Sequence, residues 1–174
     1  SNQCTDASIT LSKMENVENV LVLEDNLFAQ SLAESYSETL IDTIRSYSHV
    51  FAPSSSFGKN VLPRIGGMLD VMIISDVSKV ISEDTFERPI YAGNAIQTVQ
   101  SVDKVKLISV RTSNYSAVPL TGSANIKKLA CESNNTLTTF IFLIFCSFYD
   151  YVIYISLRRL PTCFVINIDN GMHK

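Results

Sequence analysis

Short runs of β-branched residues alternate with helix-period segments in the first half of this 174-residue chain. Val17–Leu23 is an apolar run that ends at three polar residues, as a buried strand does. Leu27–Tyr47 places its apolar side chains mostly three to four residues apart, which predicts a helix with one apolar face. His49–Ala52 is a second short strand, which ends at Pro53. This order predicts parallel strands covered by helices.

The alternation extends to residue 110. Further elements are predicted, in order, as helix Val61–Leu69 with Pro63 in its first turn, strand Val71–Ser75, strands within Thr85–Val99, and strand Val105–Val110. Gly93 and Asn94 both tolerate positive φ, so they predict a hairpin turn inside Thr85–Val99. Ser8–Glu15 is predicted to be a short helix before the first strand. We therefore expect an α/β fold with a mostly parallel sheet flanked by helices, to which the later strands add antiparallel pairs.

Composition changes near residue 128. Residues 112–128 are rich in Ser, Asn, Thr, Gly and Pro, which predicts a linker. The chain has nine Phe and seven Tyr, and half of these aromatic residues fall after residue 128. The apolar tail, residues 129–174, has neither helical nor strand periodicity. Its structure is therefore expected to be disordered or unspecified.

Two interpretations of the tail stay open. One is a membrane anchor over Thr139–Leu157, which is nearly as long as the about 20 apolar residues that a spanning helix needs. The other is sequence foreign to the preceding domain, as a translated intron would supply. Asp150 lies inside the stretch and would cost about 2.5–3.5 kcal/mol at the centre of a membrane. This cost and the missing period favour the second interpretation, so no membrane role is expected.

Charge and cysteine spacing exclude several function classes. The formal net charge is −3 and the 14 Lys and Arg are scattered, whereas a nucleic-acid binder has a clustered basic face. The four cysteines lack the spacing of zinc ligands, and the two histidines are far apart in sequence. Neither nucleic-acid binding nor a metal site is expected.

A small-residue loop, Ser54–Asn60, separates a predicted strand from a predicted helix. Backbone N–H groups at a helix N-terminus favour anions, and Lys59 would add positive charge, so a phosphate site is conceivable. The spacing of a Walker loop is absent. A strand-to-helix turn whose serines cap the helix is the favoured interpretation.

Other polar residues suggest no catalytic constellation. An acidic stretch interspersed with serines contains Asp70, Asp76, Glu83, Asp84 and Glu87. These carboxylates have no histidine nearby in sequence, so a solvated connection is favoured over acid–base chemistry. His49 is expected to lack a Cys or Ser partner close in sequence, so a structural role is favoured over that of a positioned base, and Arg88 is expected at the surface. No catalytic, cofactor-binding or metal residue is predicted.

Several sequence blocks occur in a fixed order and together resemble one family. They are Ser56-Phe57-Gly58-Lys59-Asn60 with Leu62-Pro63-Arg64, then Ile74-Ser75-Asp76-Val77, then Asp84-Thr85-Phe86-Glu87-Arg88-Pro89-Ile90-Tyr91-Ala92-Gly93-Asn94-Ala95, then Val105-Lys106-Leu107-Ile108-Ser109-Val110-Arg111. From roughly Val20 to Arg111 the chain resembles the N-terminal domain of the electron transfer flavoprotein alpha subunit.

The resemblance implies a nucleotide-hydrolase-like α/β layer packed against a beta subunit in an FAD-containing heterodimer. Such an assembly passes electrons from acyl-CoA and related dehydrogenases of fatty acid β-oxidation to a membrane quinone oxidoreductase. It resides in the mitochondrial matrix or the bacterial cytoplasm, and the matrix is expected here. In the family, the alpha subunit's C-terminal domain holds most of the flavin.

Two departures from the family narrow the expected role. Family members have a strand, a helix and a second strand before the position of Ser1, so the first strands are expected to be missing. After about Lys127 the chain does not resemble the flavin-binding domain. The expected division is therefore a partial N-terminal domain (residues 1–111), a linker (112–128) and a non-family tail (129–174). FAD is not expected to bind this chain alone.

The expected function is thus that of an alpha-subunit fragment acting as scaffold and beta-subunit contact, inactive in electron transfer by itself. Two alternatives remain. One is a small nucleotide-binding α/β module that uses Ser54–Asn60. The other is a protein tethered to a membrane through Thr139–Leu157.

Overall fold

A computed structural model describes residues 2–25, 28, 31–130 and 138 of the chain. Its helices are α1 (Asn2–Ser12), α2 (Ala33–Arg45) and α3 (Ser56–Leu69). Its strands are β1 (Asn19–Val22), β2 (His49–Pro53), β3 (Ile73–Val77), β4 (Lys79–Val80), β5 (Thr85–Ile90), β6 (Ala95–Gln100), β7 (Lys106–Val110) and β8 (Asn125–Lys128). Two short 3-10 turns, Tyr91–Gly93 and Thr112–Asn114, follow β5 and β7. The predicted α/β class, with parallel sheets flanked by helices, is confirmed.

The central layer is a parallel three-stranded sheet in the order β2-β7-β3. β7 occupies the middle although it comes last in sequence. Leu107 and Ile108 of β7 are both fully buried and belong to two different hydrophobic clusters. Because successive side chains of a strand point to opposite faces, both faces of this sheet are covered.

Helices α2 and α3 cover the face of the sheet that carries Leu107. Tyr36 on α2 is fully buried there, between two aromatic rings. Its ring centroid lies 4.5 Å from that of Phe28 and 4.9 Å from that of Phe57, the latter in an edge-to-face arrangement. Such pairs contribute about 0.5–1.5 kcal/mol beyond the burial of their area.

An antiparallel sheet in the order β4-β5-β6 covers the opposite face. Phe86 of β5 is fully buried against Ile74 and Val77 of β3 and Ile108 of β7. Of the antiparallel pairs expected from the later strands, β5 with β6 is thus observed, whereas β7 is parallel to its neighbours. The burial of β7 on both faces accounts for its central place in the sheet.

The strands β1 and β8 form a separate parallel pair beside α1. Val20 and Val22 of β1 are buried with Leu11 and Val17, while all four residues of β8 are exposed. Residues 112–128, predicted as a linker, therefore contain a strand that pairs by its backbone. The division into domains stays a prediction.

Helix boundaries differ from the expectation in one important place. Helix α3 begins at Ser56, not Val61, because Ser55 caps it by accepting a hydrogen bond from the Gly58 N–H (3.2 Å). Pro63 therefore lies inside the helix and not in its first turn. The carbonyl of Lys59 loses the N–H donor that any other residue at position 63 would supply.

Helices α1 and α2 also shift: α1 starts before the predicted Ser8, and α2 is shorter than the predicted Leu27–Tyr47. Within the described residues, none of the helices is long and apolar enough to cross a membrane. The candidate anchor Thr139–Leu157 lies outside the described residues, as does nearly all of the predicted tail.

Candidate functional site

A cleft lies where β2, β3 and β7 end and α3 begins. Parallel strands bring their carboxyl ends to one edge of a sheet, and this edge is where ligands of α/β folds usually bind. The cleft has two adjoining parts of about 350 and 420 Å³. Lys59 and Asp76 line both parts, so they lie at its centre.

Asp76 and Lys59 form an ion pair across this cleft. The Lys59 Nζ lies 2.9 Å from Asp76 Oδ1 and donates a hydrogen bond to Oδ2 at 3.2 Å. This hydrogen bond is the main cause that lowers the pKa of the Asp76 carboxyl, with the Ser54 hydroxyl and the charge of Arg111 acting in the same direction. The carboxylate is therefore ionised at neutral pH.

Serine hydroxyls fasten the three strand ends to one another. The buried Ser109 Oγ on β7 accepts hydrogen bonds from the Asp76 N–H (2.9 Å) and from the Ser54 hydroxyl (3.1 Å). The Arg111 N–H donates to the Val77 carbonyl at 2.9 Å. Asp76 has a φ of 59°, a left-handed conformation that aspartate tolerates better than most residues.

The predicted loop Ser54–Asn60 thus does line a cleft, and one of its serines, Ser55, caps a helix. Three of its donor groups already have partners within the chain, however. Gly58 N–H donates to Ser55 Oγ, Lys59 N–H donates to the Ser55 carbonyl (2.9 Å), and the Lys59 ammonium pairs with Asp76. A phosphate placed here would meet the Asp76 carboxylate, so the geometry argues against the nucleotide-binding alternative.

The carboxylates of the predicted acidic stretch have separate roles. Asp70 ends α3 in a left-handed conformation with its N–H donating to the Gly66 carbonyl, and Asp76 belongs to the cleft. Asp84 accepts hydrogen bonds from Gln100 Nε2 (2.6 Å) and from the hydroxyls of Ser82 and Thr85 (both 2.7 Å). These donors, Gln100 foremost, hold the pKa of Asp84 well below its ordinary value.

His49 and Arg88 each join two elements. His49 Nε2 donates to the Glu83 carbonyl at 2.5 Å, which leaves Nδ1 to accept from the Ser48 hydroxyl at 2.9 Å. Arg88 donates from Nε to Gln97 Oε1 (2.9 Å) and from Nη1 to Ser75 Oγ (3.3 Å). His49 therefore holds the turn before β5 against the start of β2. The expectation that His49 lacks a serine partner close in sequence is wrong, because the hydroxyl of the adjacent Ser48 contacts its ring.

Sequence reasoning did not identify Ser109 and Arg111 as part of the cleft. The available signal was a single hydroxyl inside the apolar run of β7, because a polar residue in a doubly buried strand requires a hydrogen-bond partner. Within the described part of the chain, no group of three or more His, Cys, Asp or Glu residues is placed to hold a metal ion.

Comparison with known proteins assigns the chain to a family. The family model for the electron transfer flavoprotein domain matches residues 6–133. The chain belongs to the electron transfer flavoprotein family. The resemblance seen in the ordered sequence blocks is thereby confirmed, and it extends through the residues predicted to be a linker.

Relatives within this electron transfer flavoprotein family are alpha subunits. The chain is 42% identical over 130 residues to electron transfer flavoprotein subunit alpha of Paracoccus denitrificans, covering 75% of this chain and 42% of that protein. It is 39% identical over 130 residues to the mitochondrial alpha subunit of Dictyostelium discoideum, covering 71% and 37% of the two proteins. The mitochondrial alpha subunit of Arabidopsis thaliana is 42% identical over 126 residues, with 70% and 34% covered. The chain thus spans about two fifths of the length of these relatives or less.

The cleft of this electron transfer flavoprotein chain offers a flavin dinucleotide few unengaged donors. A pyrophosphate needs N–H donors or cations that are free to bind it. Lys59 is already paired with the Asp76 carboxylate, and the exposed Arg111 lines the larger part of the cleft.

Proposed function

We propose that this chain is the N-terminal part of an electron transfer flavoprotein alpha subunit, serving as a scaffold that contacts a beta subunit. The complete assembly would carry FAD and pass electrons from acyl-CoA and related dehydrogenases to a quinone oxidoreductase. The observation that carries the proposal is the 42% identity to a bacterial alpha subunit over 75% of this chain. The bound flavin would supply the redox chemistry.

The scaffold role is supported by what the described polar groups do. The ion pair of Lys59 with Asp76, the hydroxyl of Ser109 and the three donors to Asp84 all connect elements of this chain to one another. These groups leave no charged side chain at the centre of the cleft available to a dinucleotide. The chain by itself is therefore proposed to be inactive in electron transfer.

A reconstitution experiment tests this proposal. The full 174-residue chain is purified with and without a co-expressed beta subunit from a relative such as Paracoccus denitrificans, and flavin absorbance and complex formation are measured. We expect a complex with the beta subunit and no flavin in the chain alone. Stoichiometric FAD in the chain alone would contradict the scaffold role. Failure to bind the beta subunit would contradict the proposal that this subunit is the partner.

The mitochondrial matrix is the proposed location. The eukaryotic relatives are named as mitochondrial, whereas bacterial relatives are equally similar, so the location depends on the source of the chain. Subcellular fractionation with an antibody to the chain tests the location: recovery with a matrix marker is expected, and recovery in the cytosolic fraction would exclude it.

A further inference from the structure

The hairpin formed by β5 and β6 has an unusual outer part. No Asp, Glu, Lys or Arg occurs between Arg88 and Asp103, although charged residues make up 18% of the chain. This uncharged stretch is not buried: most residues of β6 are exposed. Charged residues are depleted at the centre of protein–protein interfaces, so an exposed stretch without charges has a composition that suits a contact with another polypeptide.

Large apolar side chains are exposed at the tip of this hairpin. Tyr91 is 79% exposed and Ile96 is 60% exposed, and Ile96 lies opposite Pro89 in the strand register. Tyr91 and Ala92 have φ values of 50° and 55°, left-handed conformations that are unfavourable for residues other than glycine. Strain of this kind is concentrated at functional sites, where it fixes how a side chain is presented.

The outer edge of β6 is the second relevant feature. β6 pairs with β5 along one side, and within the described residues no strand pairs with its other side. Natural edge strands that remain in water are protected by charged side chains, prolines or bulges. From Ala95 to Gln100 there is no charge and no proline, and the pairing with β5 is regular. The edge therefore has the properties of one that another strand covers.

We propose that the β5–β6 hairpin is the surface on which the partner subunit docks, through an extended uncharged segment that adds to the edge of β6. Tyr91 and Ile96 are its apolar anchors. This inference rests on the proposed function, in which the chain contacts a beta subunit.

A separate polypeptide is the occupant because the relatives are named as subunits of a larger assembly. Main-chain hydrogen bonds along β6 would supply affinity, and the side chains of the tip would supply specificity.

Titration calorimetry of the full chain with a purified beta subunit tests the docking surface. Ile96→Lys places a charge on the proposed contact, and Met72→Lys is the matched control because Met72 is 76% exposed and lies outside the hairpin. We expect Ile96→Lys to weaken binding by about tenfold or more and Met72→Lys to leave it unchanged. Both side chains are exposed, so both variants should keep the wild-type thermal midpoint.

Hydrogen exchange gives a readout that a purely structural role would not change. The β6 amides that point away from β5 should exchange rapidly in the free chain and slowly in the complex. Protection of these amides in the free chain would overturn the inference, because this chain would then cover its own edge. Self-association that Ile96→Lys abolishes would also overturn it, because the occupant would then be a second copy.

The two proposals can fail separately. If the wild-type chain does not bind a beta subunit, the proposed function fails and this inference fails with it. If the wild type and Ile96→Lys bind equally well, or if Met72→Lys weakens binding as much, the docking surface is wrong while the proposed function stands.

Discussion

Lys59 and Asp76 connect the first turn of α3 to the end of β3, with Nζ 2.9 Å from Oδ1. The Lys59 side chain is 50% exposed and the Asp76 side chain 28% exposed, so water screens the attraction. Asp76 also donates its N–H to Ser109 Oγ on the central strand. The pair therefore orients the edge of the cleft more than it stabilises the fold, because partly exposed ion pairs contribute little free energy.

Replacing Asp76 by Asn tests how much the ion pair with Lys59 contributes to the stability of the fold. Asn keeps the tolerance for the left-handed φ of 59°, so the change removes mainly the charge. We expect the free energy of unfolding at pH 7 to fall by about 1 kcal/mol or less. The measurement is urea unfolding at neutral pH, with Asp42→Asn, an exposed position on α2, as the control.

The loss of stability caused by Asp76→Asn is predicted to depend on pH. The folded pKa of Asp76 is lowered, so its contribution is fully present above the unfolded value of about 3.9 and is lost as the pH falls through the folded pKa. The difference in stability between wild type and Asp76→Asn should therefore shrink below about pH 4. A difference that grows on acidification would contradict the assignment of the ion pair.

Asp84 is predicted to hold together the base of the β5–β6 hairpin. Three donors converge on its carboxylate: Gln100 from β6, and the hydroxyls of Ser82 and Thr85. Asp84→Ala leaves these donors to water, so we expect faster amide exchange in β5 and β6 and little change in α2. The pKa of Asp84 is lowered, and the wild type should therefore lose the same protection when acid protonates this carboxyl. Equal exchange rates in wild type and Asp84→Ala would exclude this role.

The sequence predicted strands and helices wherever a local pattern carried the information. The first three strands were found to within two residues of their bounds, since their apolar runs reflect buried faces. Helices α2 and α3 were also found, but their starts differ from the predicted ones by six and five residues. The hairpin turn was also identified, although of its two predicted residues only Gly93 has a positive φ (96°), whereas Asn94 has a φ of −73°. The other left-handed residues of the turn are Tyr91 and Ala92. These features depend only on neighbouring residues.

Pairing between distant segments could not be predicted in this way. β8 has four exposed residues, two of them lysines, so no apolar pattern marks it as a strand. It is a strand because its backbone pairs with that of β1. The cleft required Lys59, Asp76 and Ser109 to converge from three elements, which only the strand order produces. The central place of β7 is likewise a result of the tertiary fold.

Phe86 is predicted to be essential for holding the hairpin sheet on the central sheet. Its side chain is fully buried against Ile74, Val77 and Ile108. Phe86→Ala would leave a cavity, and we expect the free energy of unfolding to fall by about 3–5 kcal/mol. The matched change Ile96→Ala, at a side chain 60% exposed on the same hairpin, should stay within about 0.5 kcal/mol of wild type. Urea unfolding monitored by circular dichroism measures both, and similar losses would refute the packing role.

Two glycines of α3 should respond in opposite directions to the same substitution. A Cβ at Gly58 would lie only 2.2 Å from the Pro53 carbonyl oxygen, because the first turn of α3 packs directly on the end of β2. A Cβ at Gly67 would meet no atom within 4 Å. Since the Pro53 carbonyl belongs to the backbone, it can move only by displacing the strand end. We expect Gly58→Ala to destabilise the fold by about 1–3 kcal/mol.

Gly67→Ala should instead stabilise the chain by up to about 1 kcal/mol, because Ala has the higher helix propensity and no clash opposes it. Thermal unfolding of the two variants beside wild type measures both effects, and each kcal/mol should shift the midpoint by about 2–4 °C in a domain of this size. Since helix propensity acts alike on both variants, the difference between their midpoints isolates the contact of α3 with β2. Equal midpoints for Gly58→Ala and Gly67→Ala would show that this contact does not constrain the start of the helix. The contact of α3 with β2 would then not be what fixes this edge of the cleft.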